Sequence, residues 1–288
     1  MSSKNLLDSI KKLREMTGVG FKDCKSALDE NNGDIEKSVE FLRKKGIAKA
    51  SKKMSRTASE GLALVKEDDG NISIIEINSE TDFVAKNQDF INFCKELSEI
   101  NFNTKSDLNE LNISKMANGI SVKDNLVNLI AKVGEKIIIR RAIFFDNSAG
   151  INFSYVHSAI EKGIGKIISI VKINGILKGK NDGVGTKIAM HIAASNPIAI
   201  DKDNINKSIV DKELEIIKAE ITNSGKPVDM ADKISKGKIT KFLNDNSLLN
   251  QIWIMDPKKK VLDILKENSS DKPLKVIDFI RYKVGEGI

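Results

Sequence analysis

The chain has 288 residues, 40% hydrophobic and 30% charged, with a mean hydropathy of −0.24; that is length for about two domains of ~150 residues and ample apolar material for a core. Lys and Arg number 47 against 40 Asp and Glu, a net charge of +7, which permits an acidic partner, nucleic acid or protein, without choosing between them. No apolar run nears the ~18–20 residues of a membrane span, and Met1–Asp8 shows neither the apolar core of a signal peptide nor an Arg-rich leader.

Residues 1–45 read as a three-helix unit. Ser3 is the expected N-cap of the first helix, with Leu6, Ile10 and Leu13 at helical spacing. Thr17-Gly18-Val19-Gly20 is a flexible loop. Phe21, Cys24 and Leu28 then share one face of a second helix, which Asn31-Asn32-Gly33 ends. Asp34 caps a third, with Ile35, Val39 and Leu42 inward. The unit resembles a ubiquitin-associated bundle, a binding module, and is small enough to be marginal alone. Arg43–Arg56 follows with seven basic residues and no acidic one. It reads as a solvated linker, assigned to 46–56, or else as an RNA-binding arm.

From residue 57 the apolar period becomes two. Gly61–Lys66 and Asn71–Asn78 are strands joined through Glu67-Asp68-Asp69-Gly70, an Asp-Gly hairpin turn. Between that second strand and a helix over Asp89–Asn101 lies Ser79-Glu80-Thr81-Asp82-Phe83-Val84-Ala85-Lys86-Asn87. Two readings of this junction stand side by side. In one, Thr81 or Asp82 caps the next helix and Phe83 and Val84 turn into the core. In the other, Phe83 projects as a wedge into another protein. A helix over Val122–Val133 and a strand over Lys136–Phe145 complete a unit spanning 57–146.

Residues 147–288 repeat the pattern loosely: strands over Ile151–His157 and Gly165–Ile173, a helix over Gly185–Ser195 and a last strand over Val276–Val284. Inserted at about 203–244 is a helical hairpin. Ile205, Ile209, Leu214, Ile217 and Ile221 stripe its first helix, and Met230, Ile234, Ile239, Phe242 and Leu243 its second. Asn223-Ser224-Gly225-Lys226-Pro227 stops one helix and starts the other. Leu248–Met255 is expected to return to the sheet, and Val261–Leu265 to be a short helix. The fold class is α+β: a three-helix module, a basic linker, two related subdomains with antiparallel sheets, and a helical-hairpin arm.

Catalytic constellations are missing from the sequence. His157 and His191 are the only histidines and lie far apart, so both read as structural or interfacial. There is no phosphate loop, and Gly183-Val184-Gly185 and Gly163-Ile164-Gly165 each lack the third glycine of a dinucleotide fingerprint. Asp201-Lys202-Asp203 lacks the glycine and glutamate of a calcium loop. Cys24 and Cys94 show no framework spacing and read as free thiols of a cytoplasmic protein. Aromatics are only 5% of residues, few for a platform that stacks RNA bases. The expectation is a binding or regulatory protein, not an enzyme, needing no cofactor or metal, with nucleic acid not the leading partner and an RNA-binding accessory protein using residues 43–56 the alternative.

Several segments in register resemble the bacterial elongation factor Ts family. They are Leu13–Lys25, Asn32-Gly33-Asp34, Thr81–Asn87, Met190–Pro197, Ser224–Pro227 and Phe279–Gly287. The resemblance covers essentially the whole chain and implies a guanine-nucleotide exchange factor for the GTPase elongation factor Tu. By matching position it implies that Asp82 and Phe83, within a loop Thr81–Val84, intrude between two GTPase helices near the magnesium and phosphate site. It likewise implies that Arg14, Phe21, Lys22 and Lys25 touch the GTPase nucleotide domain, that His157 lies at the partner interface, and that the arm serves dimerisation in some members. Two departures accompany it. Many members extend a further helix beyond Val-Gly-Glu-Gly, whereas this sequence reaches Ile288, so that contact is expected to be missing. Ser158–Lys166 also lacks the glycine- and arginine-rich character of the family, which weakens the assignment of His157.

Overall fold

A computed structural model of the chain describes residues 3–17, 19–178, 183–223 and 228–288. Three helices open it: α1 (Ser3–Thr17), α2 (Phe21–Glu30) and α3 (Ile35–Lys53). Ile10, Leu13, Cys24, Ala27, Leu28 and Leu42 form their own small core. Asp34 caps α3 as expected, its carboxylate accepting the Lys37 N–H at 3.0 Å. Ser3 lies within α1 and does not precede it. Phe21 does not join Cys24 and Leu28 inside; it is exposed.

The segment read as a linker is helical. α3 runs on through Lys53, and Gly46 does not interrupt it. The cause is a neighbouring surface. A methyl placed on Gly46 would touch Val127 and Ala131 at 3.5 and 3.7 Å, Ala50 enters the main core, and the basic side chains find acceptors. Arg43 Nη2 donates to both oxygens of Asp124 at 2.9 Å, and Lys45 to Asp23 at 3.0 Å. A stretch without acidic residues of its own is thus paired with charges from elsewhere.

Next come β1 (Glu60–Asp68), β2 (Asn71–Ser79), α4 (Asp82–Ala85), α5 (Gln88–Asn103), α6 (Leu108–Ile113), α7 (Val122–Val133) and β3 (Ile137–Phe145). Then follow β4 (Ile151–His157), β5 (Ile164–Gly165), β6 (Ile167–Asn174), α8 (Val184–Ser195), α9 (Lys207–Asn223), α10 (Val228–Asn246), α11 (Val261–Glu267) and β7 (Lys275–Lys283). The hairpin turn is the two-residue kind, with Asp69 and Gly70 at φ 45° and 73°, as an Asp-Gly pair favours. The stripe of α9 and α10 is half-buried to buried at Ile217, Ile221, Ile234 and Phe242; the stop-and-restart at Ser224–Pro227 and the Met230 side chain lie outside the described residues.

Strands order β3-β2-β1-β5 in one sheet and β4-β6-β7 in the other, all antiparallel. The single strand expected over 165–173 is therefore split between both sheets. Strand alternation builds the layers. Leu62, Leu64, Ile75 and Ile77 face α5 and α7. Ala63, Ile72, Ile74, Ile168, Ile170 and Tyr282 meet between the sheets. Val171, Ile173 and Val276 face α8 and α11. The result is helix, sheet, sheet, helix. Leu248–Met255 does not return to a sheet. Trp253 N–H bonds to Lys259 O and Val261 N–H to Gln251 O, so a local loop consumes the backbone groups that a sheet edge would need.

One buried charge crosses the inter-sheet layer. Glu76 of β2 is fully buried and accepts from Arg140 Nη1 at 2.9 Å, Arg141 Nε at 2.6 Å, the Gly285 N–H at 3.0 Å and Asn78 Nδ2 at 3.1 Å. Burial pushes its carboxyl up, but the Gly285 amide and the two guanidiniums outweigh this and hold it below the ordinary 4.5. Burial likewise pushes His191 below 6.5, partly offset by its hydrogen bond with Gln251. Both groups have folded pKa values below their unfolded ones. Each therefore contributes stability that is present above its ordinary pKa and lost as pH falls beneath it. Urea midpoints should begin to fall below pH 6.5 from His191 and fall further below pH 4.5 from Glu76. Glu76→Gln should shrink the second step and leave the first. Glu76→Ala should cost about 3 kcal/mol at neutral pH, because it strands two half-buried guanidiniums; equal midpoints for Glu76→Ala and the parent chain would show the cluster to be dispensable.

Candidate functional site

Thr81–Asn87 sits where β2, buried along nearly its whole length, leaves the sheet. The chain makes one helical turn, α4, and Asn87 then caps α5 by accepting the Asp89 and Phe90 N–H groups at 2.9 and 3.3 Å. Successive residues of a helical turn point about 100° apart, so four residues divide between inside and outside. Val84 and Ala85 are buried in the main core. Phe83 is 80% exposed, the most exposed large apolar side chain among the described residues. The core reading thus holds for Val84, which goes in, and fails for Phe83, which goes out. The cap does not take the expected form. Thr81 stands at the N-cap position of α4 but makes no side-chain cap bond; instead Glu135 accepts its N–H at 3.0 Å and its hydroxyl at 2.7 Å.

Asp82 beside the phenylalanine pairs with Lys86 one turn on, at 2.6 Å. The hydrogen bond from Lys86 holds its carboxyl below the usual range, so it is ionised at neutral pH. The turn therefore presents an apolar ring flanked by a carboxylate and an ammonium.

The remaining predicted contacts stand on other elements. Arg14 on α1 and Phe21, Lys22 and Lys25 on α2 are all exposed, so the three-helix unit turns one aromatic and three cations outward. Arg14 lines a shallow groove with Lys11, Glu15, Val19 and, from α7, Lys132. His157 is exposed at the end of β4, its Nδ1 3.2 Å from the Tyr155 hydroxyl. Phe83, the helical unit and His157 thus lie on three separate parts of the fold. The other histidine is enclosed: His191 stacks on Trp253 with ring centroids 5.2 Å apart and takes no part in this surface. Among the described residues no group of three His, Cys, Asp or Glu side chains is placed to hold a metal ion, and no helix is long and apolar enough to cross a membrane. Glu135 was not legible from the sequence as part of this site. Its only signal is its place directly after Gly134, the left-handed C-cap of α7.

Comparison with known proteins bears on all of this. The family model described as "Elongation factor TS" matches residues 80–286, beginning at the edge of the Phe83 turn. Elongation factor Ts of Clostridium kluyveri is 41% identical over 286 residues, covering 97% of this chain and 92% of that protein. Elongation factor Ts of Zymomonas mobilis is 38% identical over 283 residues with the same coverage, and that of Rickettsia bellii 38% over 293 residues, covering all of this chain and 94% of its own. With an exposed aromatic turn on an α+β double-sheet core, a helical unit before it and this extent of identity, the chain belongs to the elongation factor Ts family.

Proposed function

We propose that the chain releases GDP from elongation factor Tu by inserting Phe83, with Asp82 beside it, next to the magnesium and phosphate site of that GTPase. Membership of the family makes it a nucleotide exchange factor for elongation factor Tu in translation elongation. The wedge is the finer reading, and one observation carries it: a phenylalanine 80% exposed on a turn whose next two residues are core. Leaving a large ring in water costs free energy that burial in a partner recovers.

The work requires no bond to be made or broken, so no acid, base or nucleophile is called for. Factor and nucleotide bind one GTPase with opposing effects, and that coupling is reciprocal. A side chain buried only in the nucleotide-weakened conformation supplies the differential affinity that shifts the equilibrium. Disturbing the magnesium ion and its water ligands removes charge stabilisation from the phosphates. The concentrations of GDP and GTP then set the direction. Arg14, Phe21, Lys22 and Lys25 supply the second contact, three cations against an acidic face, and His157 a third.

The rival reading, an RNA-binding arm at Arg43–Arg56, has less to draw on. Arg43, Lys44, Lys45, Lys53 and Arg56 each already donate to an acceptor on this protein. Binding to RNA that weakens steeply with salt, with no GTPase present, would favour it.

Phe83→Ala should slow release of a fluorescent GDP from elongation factor Tu by roughly 10- to 100-fold in stopped flow, the equivalent of about 1.4–2.8 kcal/mol of lost aromatic burial. The same variant should unfold within about 0.5 kcal/mol of the parent, as exposed positions do. Val84→Ala, a core truncation, should by contrast lower stability clearly. An unchanged release rate with a clear fall in stability for Phe83→Ala would return the ring to a structural role.

A further inference from the structure

We propose that Glu135 is a positioning residue for the Phe83 turn, and that Gly134-Glu135-Lys136 is a strut bracing the turn and the N-terminal helices on one support; this rests on the wedge reading above. A helix of four residues cannot hold its own shape, because helix nucleation is unfavourable. The direction of Phe83 is therefore set by whatever fixes the residues before it. Both oxygens of the Glu135 carboxylate are spent on one residue, Thr81, one on its N–H and one on its hydroxyl. The exchange is mutual. Glu80, next to Thr81, accepts the Lys136 N–H at 2.6 Å, and the Ser79 hydroxyl closes the bend by donating to Thr81 O at 3.0 Å. Residues 79–81 and 135–136 are laced together by side chains of each onto the other.

Gly134 and Lys136, on either side of Glu135, hold the end of α3. Gly134, at φ 85°, ends α7 and turns the chain sharply toward β3. Its carbonyl accepts from Lys53, and the Lys136 ammonium donates to Met54 O and Arg56 O at 2.8 Å each. Arg56 in turn pairs with Glu80 at 3.2 Å. Further back, Arg43 on Asp124 and Gly46 against Val127 and Ala131 lay α3 along α7. The three-helix unit, whose α1 and α2 carry Arg14, Phe21, Lys22 and Lys25 and whose α3 shares their core, thus meets the turn carrying Phe83 at one three-residue support. Two contacts with a single partner must keep a fixed spacing, and a shared brace supplies it.

The test is a set of variants of the full chain, assayed by fluorescent-GDP release from elongation factor Tu at saturating factor and by amide hydrogen exchange of the free factor. Glu135→Ala should slow release to near the level of Phe83→Ala, and the double variant should be no slower than Phe83→Ala alone, since both remove one interaction. Glu135→Gln should recover most of the rate, its carbonyl accepting the Thr81 N–H and its amide donating to the Thr81 hydroxyl. In Glu135→Ala the amides of Lys86 and Asn87, which bond within the turn, should exchange at least ~10-fold faster while those of β2 do not change, the mark of local opening. Unchanged exchange and release in Glu135→Ala, multiplying losses in the double variant, or faster exchange throughout β2 would each overturn the proposal. If Glu135→Ala loosens the turn but Phe83→Ala releases GDP normally, the wedge reading fails and the bracing of the turn stands.

Discussion

A carboxylate with no access to solvent and two guanidiniums on it is the constraint from which the arrangement of the sheets follows. Glu76 points from β2 into the layer between them, where most neighbours are Ile, Val and Tyr. Left alone there it would be far too costly to ionise. Two departures from regular strand geometry make it affordable. Glu76 pairs with Arg141 while Ile77 pairs with Ile139, so Arg140 is the extra residue of a β-bulge. Consecutive strand residues normally face opposite ways, and the bulge brings Arg140 and Arg141 onto the same oxygen pair. The second departure is Gly285, at φ 77° just after β7, which brings its N–H within 3.0 Å of the carboxylate. A Cβ there would lie 2.0 Å from Ser59 O, so only glycine approaches so closely. Arg141 also covers the Tyr282 ring at 4.1 Å and donates to Lys283 O, and Arg140 reaches Glu286 O. One charge thus joins β2, β3 and the turn after β7.

That junction is what makes β2 a firm base for the site. Nearly every residue of β2 is buried, polar ones included, because it is flanked by β1 and β3 and covered on both faces. A strand so enclosed ends at a defined place, and the turn after Ser79 starts from a fixed point. The 134–136 strut lies at the entrance to β3, the neighbour of β2, so the support of the turn and its root belong to one paired ladder.

What could be read beforehand depended on how local the cause was. The Asp-Gly hairpin, the Asp34 cap and the helix over Val122–Val133 are decided within a few residues, and the fold reproduces them. The α3 extension is not legible in the sequence because its cause lies 81 residues away, in Asp124 and α7. Leu248–Met255 reads as a strand but is a loop, because its apolar residues satisfy a core through Leu248 and Trp253 while its backbone pairs only locally, with 259–261. Phe83 could be flagged from its place at a strand-to-helix junction, yet its outward direction depends on Glu135, which no periodicity singles out. Residues that act by accepting a distant backbone N–H leave little trace in a single sequence.

The pairing of Asp82 with Lys86 bears on how such a turn can serve a partner. Both side chains are substantially exposed, at 47% and 71%, and solvent screening leaves an exposed pair one turn apart only weakly stabilising. It is therefore strong enough to order the carboxylate in the free protein and weak enough to give way. A stronger internal bridge would make Asp82 unavailable; no bridge would leave two side chains to be ordered on binding, at a cost in rotamer freedom. The turn combines three grades of attachment: Val84 locked in the core, Thr81 held by a two-point hydrogen bond, and Asp82 lightly tethered. Only Phe83 is left largely in water, and under the proposed wedge the other three residues determine that it meets the partner from one direction.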